Sequence, residues 1–105
     1  MVRELSPVDL KAWMDSEEPL HLYDVRTDEE RAICQLPGAI QLTEELAEEI
    51  GAMDKGTKLV FHCHHGGRSF QAANHFLQQG FGEVYNVAGG IDAWSLSVDA
   101  AVPRY

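Results

Sequence analysis

Short apolar runs alternate along this chain with stretches whose apolar residues recur every three or four positions, and the two periods predict different elements. Ser6-Pro7 reads as a helix start, a capping hydroxyl followed by a residue whose φ is already helical. Leu10, Trp13 and Met14 then share one face of that helix. Residues 21–25 form a run apolar enough for a buried strand, and Asp28 reads as the cap of a short helix ending near Cys34. Pro37-Gly38 turns the chain into residues 39–42. Thr43 caps a helix with Leu46, Ile50 and Met53 on one side and its glutamates in solvent. Residues 58–62 read as a central strand, and 69–79 as a helix presenting Phe70, Ala73 and Leu77 inward, closed by Gly80. Residues 84–87 form another strand, followed by the Gly89-Gly90 turn and a last helix around residues 91–94.

Strand and helix patterns in alternation are the mark of an α/β fold. The economical architecture is a mostly parallel central sheet of four to five strands with helices on both faces. Its 105 residues suit a single domain, 1–105, without repeat or linker. In such sheets ligands collect beyond the carboxyl ends of the strands. That directs attention to the segment after His62.

Composition narrows the functions available. The net charge is −9, from 8 Lys+Arg against 17 Asp+Glu, so no nucleic-acid or anionic-membrane partner is expected from electrostatics. No apolar stretch reaches the roughly 20 residues that span a bilayer. The first residues lack the apolar core of a signal peptide. Two cysteines without a secretory signal do not suggest a disulfide framework, and the expectation is a reduced, cytoplasmic protein with free thiols.

The loop Cys63-His64-His65-Gly66-Gly67-Arg68-Ser69 joins the most strand-like segment to a well-patterned helix. Its glycines permit the backbone angles that turn successive N–H groups towards one point, an anion-binding nest. The helix that follows adds the positive end of its dipole, and Arg68 adds a permanent charge. A cysteine ringed in this way has its thiolate favoured, and the thiolate is the nucleophile. The alternative is a buried structural cysteine before a glycine turn. The coincidence of cysteine, Gly-Gly, arginine and helix start at the sheet's carboxyl edge favours function.

With these residues in view, the chain resembles a single-domain rhodanese, a thiosulfate-type sulfurtransferase, over nearly its whole length. Tyr23-Asp24-Val25-Arg26 resembles the family's Asp-Val-Arg strand end, and Leu36-Pro37-Gly38-Ala39-Ile40 its Pro-Gly-Ala turn. Residues 60–69 resemble its active-site strand and loop, and Val87-Ala88-Gly89-Gly90-Ile91-Asp92-Ala93-Trp94 its closing signature. The resemblance implies a rhodanese-like fold and a ping-pong reaction. Cys63 takes the outer sulfur of thiosulfate, or of a persulfide or polysulfide, as a persulfide and passes it to a thiol or to cyanide. The amides of His64 to Ser69 would cradle that sulfur, with Arg68 anchoring loop or substrate. A thiol protein of the thioredoxin or glutaredoxin type is a chemically sensible acceptor. Related phosphatases place five residues between cysteine and arginine, whereas four stand between Cys63 and Arg68 here, a smaller loop suited to sulfur. A non-catalytic rhodanese-like binding module is the other reading, and the presence of both Cys63 and Arg68 argues against it.

Some residues depart from the family pattern or carry a second reading. Cys34-Gln35-Leu36 stands where many relatives have Gly-His-Ile, and Cys34 is expected to be a small core residue rather than a second catalytic thiol. His64 and His65 replace the basic residues that would suit thiosulfate, which points to a persulfide or polysulfide donor and to tuning of the thiolate by imidazolium. No metal or cofactor is expected, because adjacent side chains such as His62, His64 and His65 rarely converge on one ion. Asp24 and Arg26 are expected to support the site by an ion pair at a strand end. Gly89 and Gly90 form either a pocket wall or a tight turn, and Trp94 is expected in the core.

Overall fold

The computed structural model describes residues 1–16 and 19–105. Five parallel strands form one sheet in the order β1-β5-β4-β2-β3: β1 (Arg3–Leu5), β2 (His21–Asp24), β3 (Ile40–Gln41), β4 (Lys58–His62) and β5 (Glu83–Val87). The helices are α1 (Pro7–Asp15), α2 (Asp28–Ile33), α3 (Glu44–Gly51), α4 (Gly67–Gln78) and α5 (Gly90–Ser97).

The two faces of the sheet carry separate cores, as a parallel sheet requires. On one, Leu10 of α1 and Ile91 and Trp94 of α5 pack with Leu5, Leu22, Val60 and Val87. On the other, Ile50 of α3 and Ala73 and Phe76 of α4 pack with Tyr23, Leu59, Phe61 and Val84. Successive residues of β4 therefore alternate between the two cores, Leu59 and Phe61 to one and Val60 to the other. Strand β4 is the central one, paired with β2 over residues 59–62 and with β5 over residues 58–61.

Several sequence expectations shift. Strand β1 was not expected, because Arg3-Glu4-Leu5 carries little apolar pattern; it forms as an edge strand by backbone pairing with β5. Strand β2 stops at Asp24, and β3 shrinks to two residues. The cap of α2 is Thr27 rather than Asp28, since the Thr27 hydroxyl accepts from the Glu30 amide while the Glu30 carboxylate accepts from the Thr27 amide. Helix α4 begins two residues earlier than its polar–apolar pattern suggests, at Gly67. Phe70 was expected inward but is 45% exposed, because Ala73 and Phe76 define the inner face instead. Gly80 follows the helix with φ +105°, the left-handed position that ends many helices.

Candidate active site

Strand β4 delivers His62 and Cys63 to the carboxyl edge of the sheet, and α4 begins four residues beyond the cysteine. The turn depends on Gly66 at φ +109°, where a side chain would be strained by the backbone conformation itself. Helix α4 consequently has no side-chain cap, and its first amides are left to face Cys63. The Gly66 amide donates to Cys63 Sγ at 3.1 Å, and Ser69 Oγ lies 3.3 Å from it. Burial of Cys63 pushes its thiol pKa up. Hydrogen bonds from the Ser69 hydroxyl and from the amides of Ser69, Gly66 and Arg68 outweigh burial, leaving the pKa below the ordinary thiol value. The sulfur is thus the focus of a partial ring of donors.

A second layer holds the ring in place. Asn86 of β5 donates to the Gly66 carbonyl at 3.1 Å and to Glu4 of β1, while its own carbonyl faces the Ser69 hydroxyl at short range. From the other side α5 abuts the loop. The Ile91 amide donates to the Cys63 carbonyl at 2.9 Å and the Asp92 amide to the His64 carbonyl at 3.2 Å. Gly90 makes that approach feasible, since a Cβ there would lie 2.4 Å from both the Cys63 and His64 carbonyl oxygens. Between the two readings of Gly89-Gly90, the geometry gives a close backbone contact that braces the loop.

Arg68 spends its side-chain hydrogen bonds on a helix rather than on the sulfur. Its guanidinium binds the Glu30 carboxylate through two bonds, of 2.6 and 2.9 Å, and so anchors the loop to α2. That pair, helped by Tyr105 and the Thr27 amide, holds Glu30 well below the usual carboxylate range. Asp24 and Arg26 form a fully buried two-bond ion pair at 2.8 Å, and Arg31 adds a third contact to Asp24. Arg26 also donates to the Cys34 carbonyl and to the Tyr105 hydroxyl. The pair therefore braces α2 and Tyr105, and reaches the Cys63 loop through Glu30, through Tyr105 on His64 and through His62.

Cys34 is buried in the core beside Leu36 and is a free thiol, as is Cys63. Trp94 is buried in the same core. His62 is fully buried, with Asp24 3.7 Å away and neither ring nitrogen hydrogen-bonded among the described residues. Burial lowers its pKa to about 4, so it stands neutral behind the site and contributes no charge to the thiolate.

His64 and His65 lie with ring centroids 3.8 Å apart and planes tilted by 32°, and His64 stacks on Tyr105, also at 3.8 Å. Neither ring bonds to Sγ among the described residues. Contrary to the expectation that adjacent histidines diverge, donor atoms of His64, His65 and Asp92 lie within 4.8 Å of one another. The Asp92 carboxylate is already neutralised by Arg104 at 2.8 Å, which makes the group a poor cation site. Glu30, Asn86, Asp92 and Tyr105 were not singled out from the sequence. Asn86 could have been, as a polar residue inside an apolar strand, and Glu30 as the partner of Thr27 in a capping box. Tyr105 carries no local signal.

Comparison with known proteins agrees with this architecture. The Rhodanese-like domain family matches residues 6–97. A sulfurtransferase of Allochromatium vinosum is 36% identical over 96 residues, covering 90% of each chain. The thiosulfate sulfurtransferase GlpE of Pseudomonas aeruginosa is 34% identical over 79 residues, covering 74% of this chain and 72% of its own. The crystal structure of a rhodanese-like domain protein from Staphylococcus aureus superposes with a TM-score of 0.76 at 26% identity, covering 89% of this chain and 91% of that one. Among the described residues no helix is long and apolar enough to cross a membrane.

Proposed function

The chain belongs to the rhodanese-like domain family, and from that premise we propose that it is a sulfurtransferase working through a persulfide on Cys63. The Cys63 thiolate attacks the outer sulfur of a sulfane donor, forming a new S–S bond. The donor's own S–S or S–sulfonate bond breaks, and a thiolate or sulfite leaves with the electron pair. An acceptor thiolate then attacks the outer sulfur of the Cys63 persulfide and regenerates the Cys63 thiolate. The observation that carries this reading is the ring of donors around Sγ, from Gly66, Ser69 and the start of α4. Such a ring stabilises a compact anionic sulfur, whether thiolate or terminal persulfide.

The donor class follows from charge. The guanidinium groups of the region are engaged by carboxylates, Arg26 and Arg31 by Asp24, Arg68 by Glu30 and Arg104 by Asp92. Thiosulfate, a compact dianion at its reacting group, finds no unpaired arginine there among the described residues, whereas a persulfide presents a single negative charge at its sulfane group. Persulfides or polysulfides carried by a small molecule or a protein are therefore the preferred donors, and a cellular thiol, including a thioredoxin- or glutaredoxin-type protein, the preferred acceptor. No cofactor enters the cycle.

Incubation with glutathione persulfide followed by intact-protein mass measurement should show one added sulfur, absent in Cys63→Ser. Absence of the adduct with every sulfane donor would instead favour a binding module. Faster loading by thiosulfate than by the persulfide would sink the donor assignment while leaving the sulfurtransferase reading intact. Hydrolysis of an aryl phosphate is expected to be negligible.

A further inference from the structure

Cys63 is only 1% exposed, although a sulfur carrier has to meet both a donor and an acceptor. Access to the sulfur is therefore narrow, and residues 104 and 105 are tied to the segments beside the loop, at His64, Glu30 and Asp92. Tyr105 touches two of these. Its ring stacks on His64, the first residue after Cys63, with planes 9° apart. Its hydroxyl donates to Glu30 at 2.6 Å, on the same carboxylate that holds Arg68 at the far end of the loop. Arg26 donates to that hydroxyl at 3.1 Å. One residue before it, Arg104 is tied to Asp92 of α5 through bonds of 2.8 and 3.3 Å.

We propose that Tyr105, strapped down by Arg104, is a specificity-determining residue that limits how much bulk a donor or acceptor can bring up to the Cys63 sulfur. This rests on Cys63 being the sulfur-carrying thiol and adds the size of partner that it serves. Narrow sulfane donors reach the sulfur with the strap in place. A bulky one, and any protein partner, must first displace the Tyr105 ring from His64 and its hydroxyl from Glu30 and Arg26. The contacts suit a latch that opens. They are a stack, hydrogen bonds and an ion pair outside both apolar cores, and Tyr105 is itself 36% exposed. A strap that served stability alone would not discriminate between partners by size.

The test compares alkylation of Cys63 by iodoacetamide and by fluorescein maleimide in the wild type, Tyr105→Phe, Tyr105→Ala and Arg104→Ala, with Cys34→Ser in every background. Taking the ratio of the two rates cancels any change in thiolate fraction, because both reagents draw on the same thiolate. The ratio of bulky to small reagent should rise about tenfold in Tyr105→Ala, the scale of one aromatic contact and its hydrogen bonds. Tyr105→Phe keeps the stack and loses the hydroxyl, so it should rise part of the way, as should Arg104→Ala. Loading rates with glutathione persulfide and thiosulfate should shift in the same sense. A ratio within twofold of the wild type in Tyr105→Ala, or one that falls, overturns the proposal. The alkylation readout does not depend on sulfur transfer. Should no donor load any variant, the sulfurtransferase reading fails while the strap is still judged.

Discussion

Ser69 has one hydroxyl proton and two acceptors in reach, Cys63 Sγ at 3.3 Å and the nearer carbonyl of Asn86. While Cys63 is a thiol, the Ser69 proton belongs with Asn86, and the thiol can donate to Ser69 Oγ. Once the sulfur ionises, rotation of the hydroxyl brings the proton to the thiolate at the cost of the Asn86 bond. Ser69 is thus a donor whose contribution arises with the charge. Ser69→Ala should raise the Cys63 thiol pKa and slow persulfide loading at neutral pH by roughly threefold to tenfold, one hydrogen bond to a charged group. The rate of iodoacetamide alkylation against pH measures the first, and mass-resolved loading the second. An unchanged profile would mean that the amides of Gly66, Arg68 and Ser69 suffice.

At the scale of elements, α2 and α5 hold the loop from opposite sides by different means. Helix α2 uses charge: Glu30 completes the helix's capping box and at the same time holds Arg68. Glu30→Gln should release Arg68 towards an incoming anion, narrowing the preference for persulfide over thiosulfate by roughly threefold. Competitive loading with the two donors reads this directly, and a widened preference would contradict it. Helix α5 uses proximity: its first turn presents amides to the carbonyls of Cys63 and His64 through the space that Gly90 leaves. Gly90→Ala must both hold a side chain at φ +63° and push against those carbonyls, so unfolding in urea should reveal a loss of about 2–4 kcal/mol. The same substitution should lower loading, because the loop moves with its brace.

For the molecule as a whole, the buried charge arrangement sets the pH range of stability. His62 has a folded pKa of about 4 against an ordinary value near 6.5, so the unfolded chain takes up a proton that the folded one refuses. Its contribution is complete above pH 6.5 and is lost as pH falls from there to about 4, on the order of 3 kcal/mol. Asp24 and Glu30, both held below their ordinary values, add a further loss as pH falls below the ordinary carboxylate range. The urea midpoint should therefore drop between pH 7 and pH 4.5, and His62→Gln should flatten the upper part of that slope. A midpoint constant from pH 7 to pH 5 in the wild type would refute the placement of a neutral His62 behind the site.

Much of this protein was legible in its sequence because the relevant physics is local. Periodicity separates the helices from the buried strands, and α1, α3, β4 and β5 form near where their patterns predict. The loop after Cys63 was readable because glycine, helix start and strand end are all short-range features. What the sequence could not determine depends on residues that meet only when the sheet closes. Strand β1 exists because β5 offers it an edge, and Asn86 orders Ser69 from a neighbouring strand. Whether Arg68 anchors the loop or a substrate stayed open until the fold brought Glu30 to it across 38 positions of chain. Tyr105 reaches Glu30 and Arg26 over 75 and 79 positions, and no local pattern encodes contacts at such separations. The place of the Cys63 sulfur, at a glycine turn between a strand and a helix, was therefore decided by local sequence. What surrounds it was decided by tertiary structure, since charge pairing and burial belong to surfaces that only the folded chain brings together.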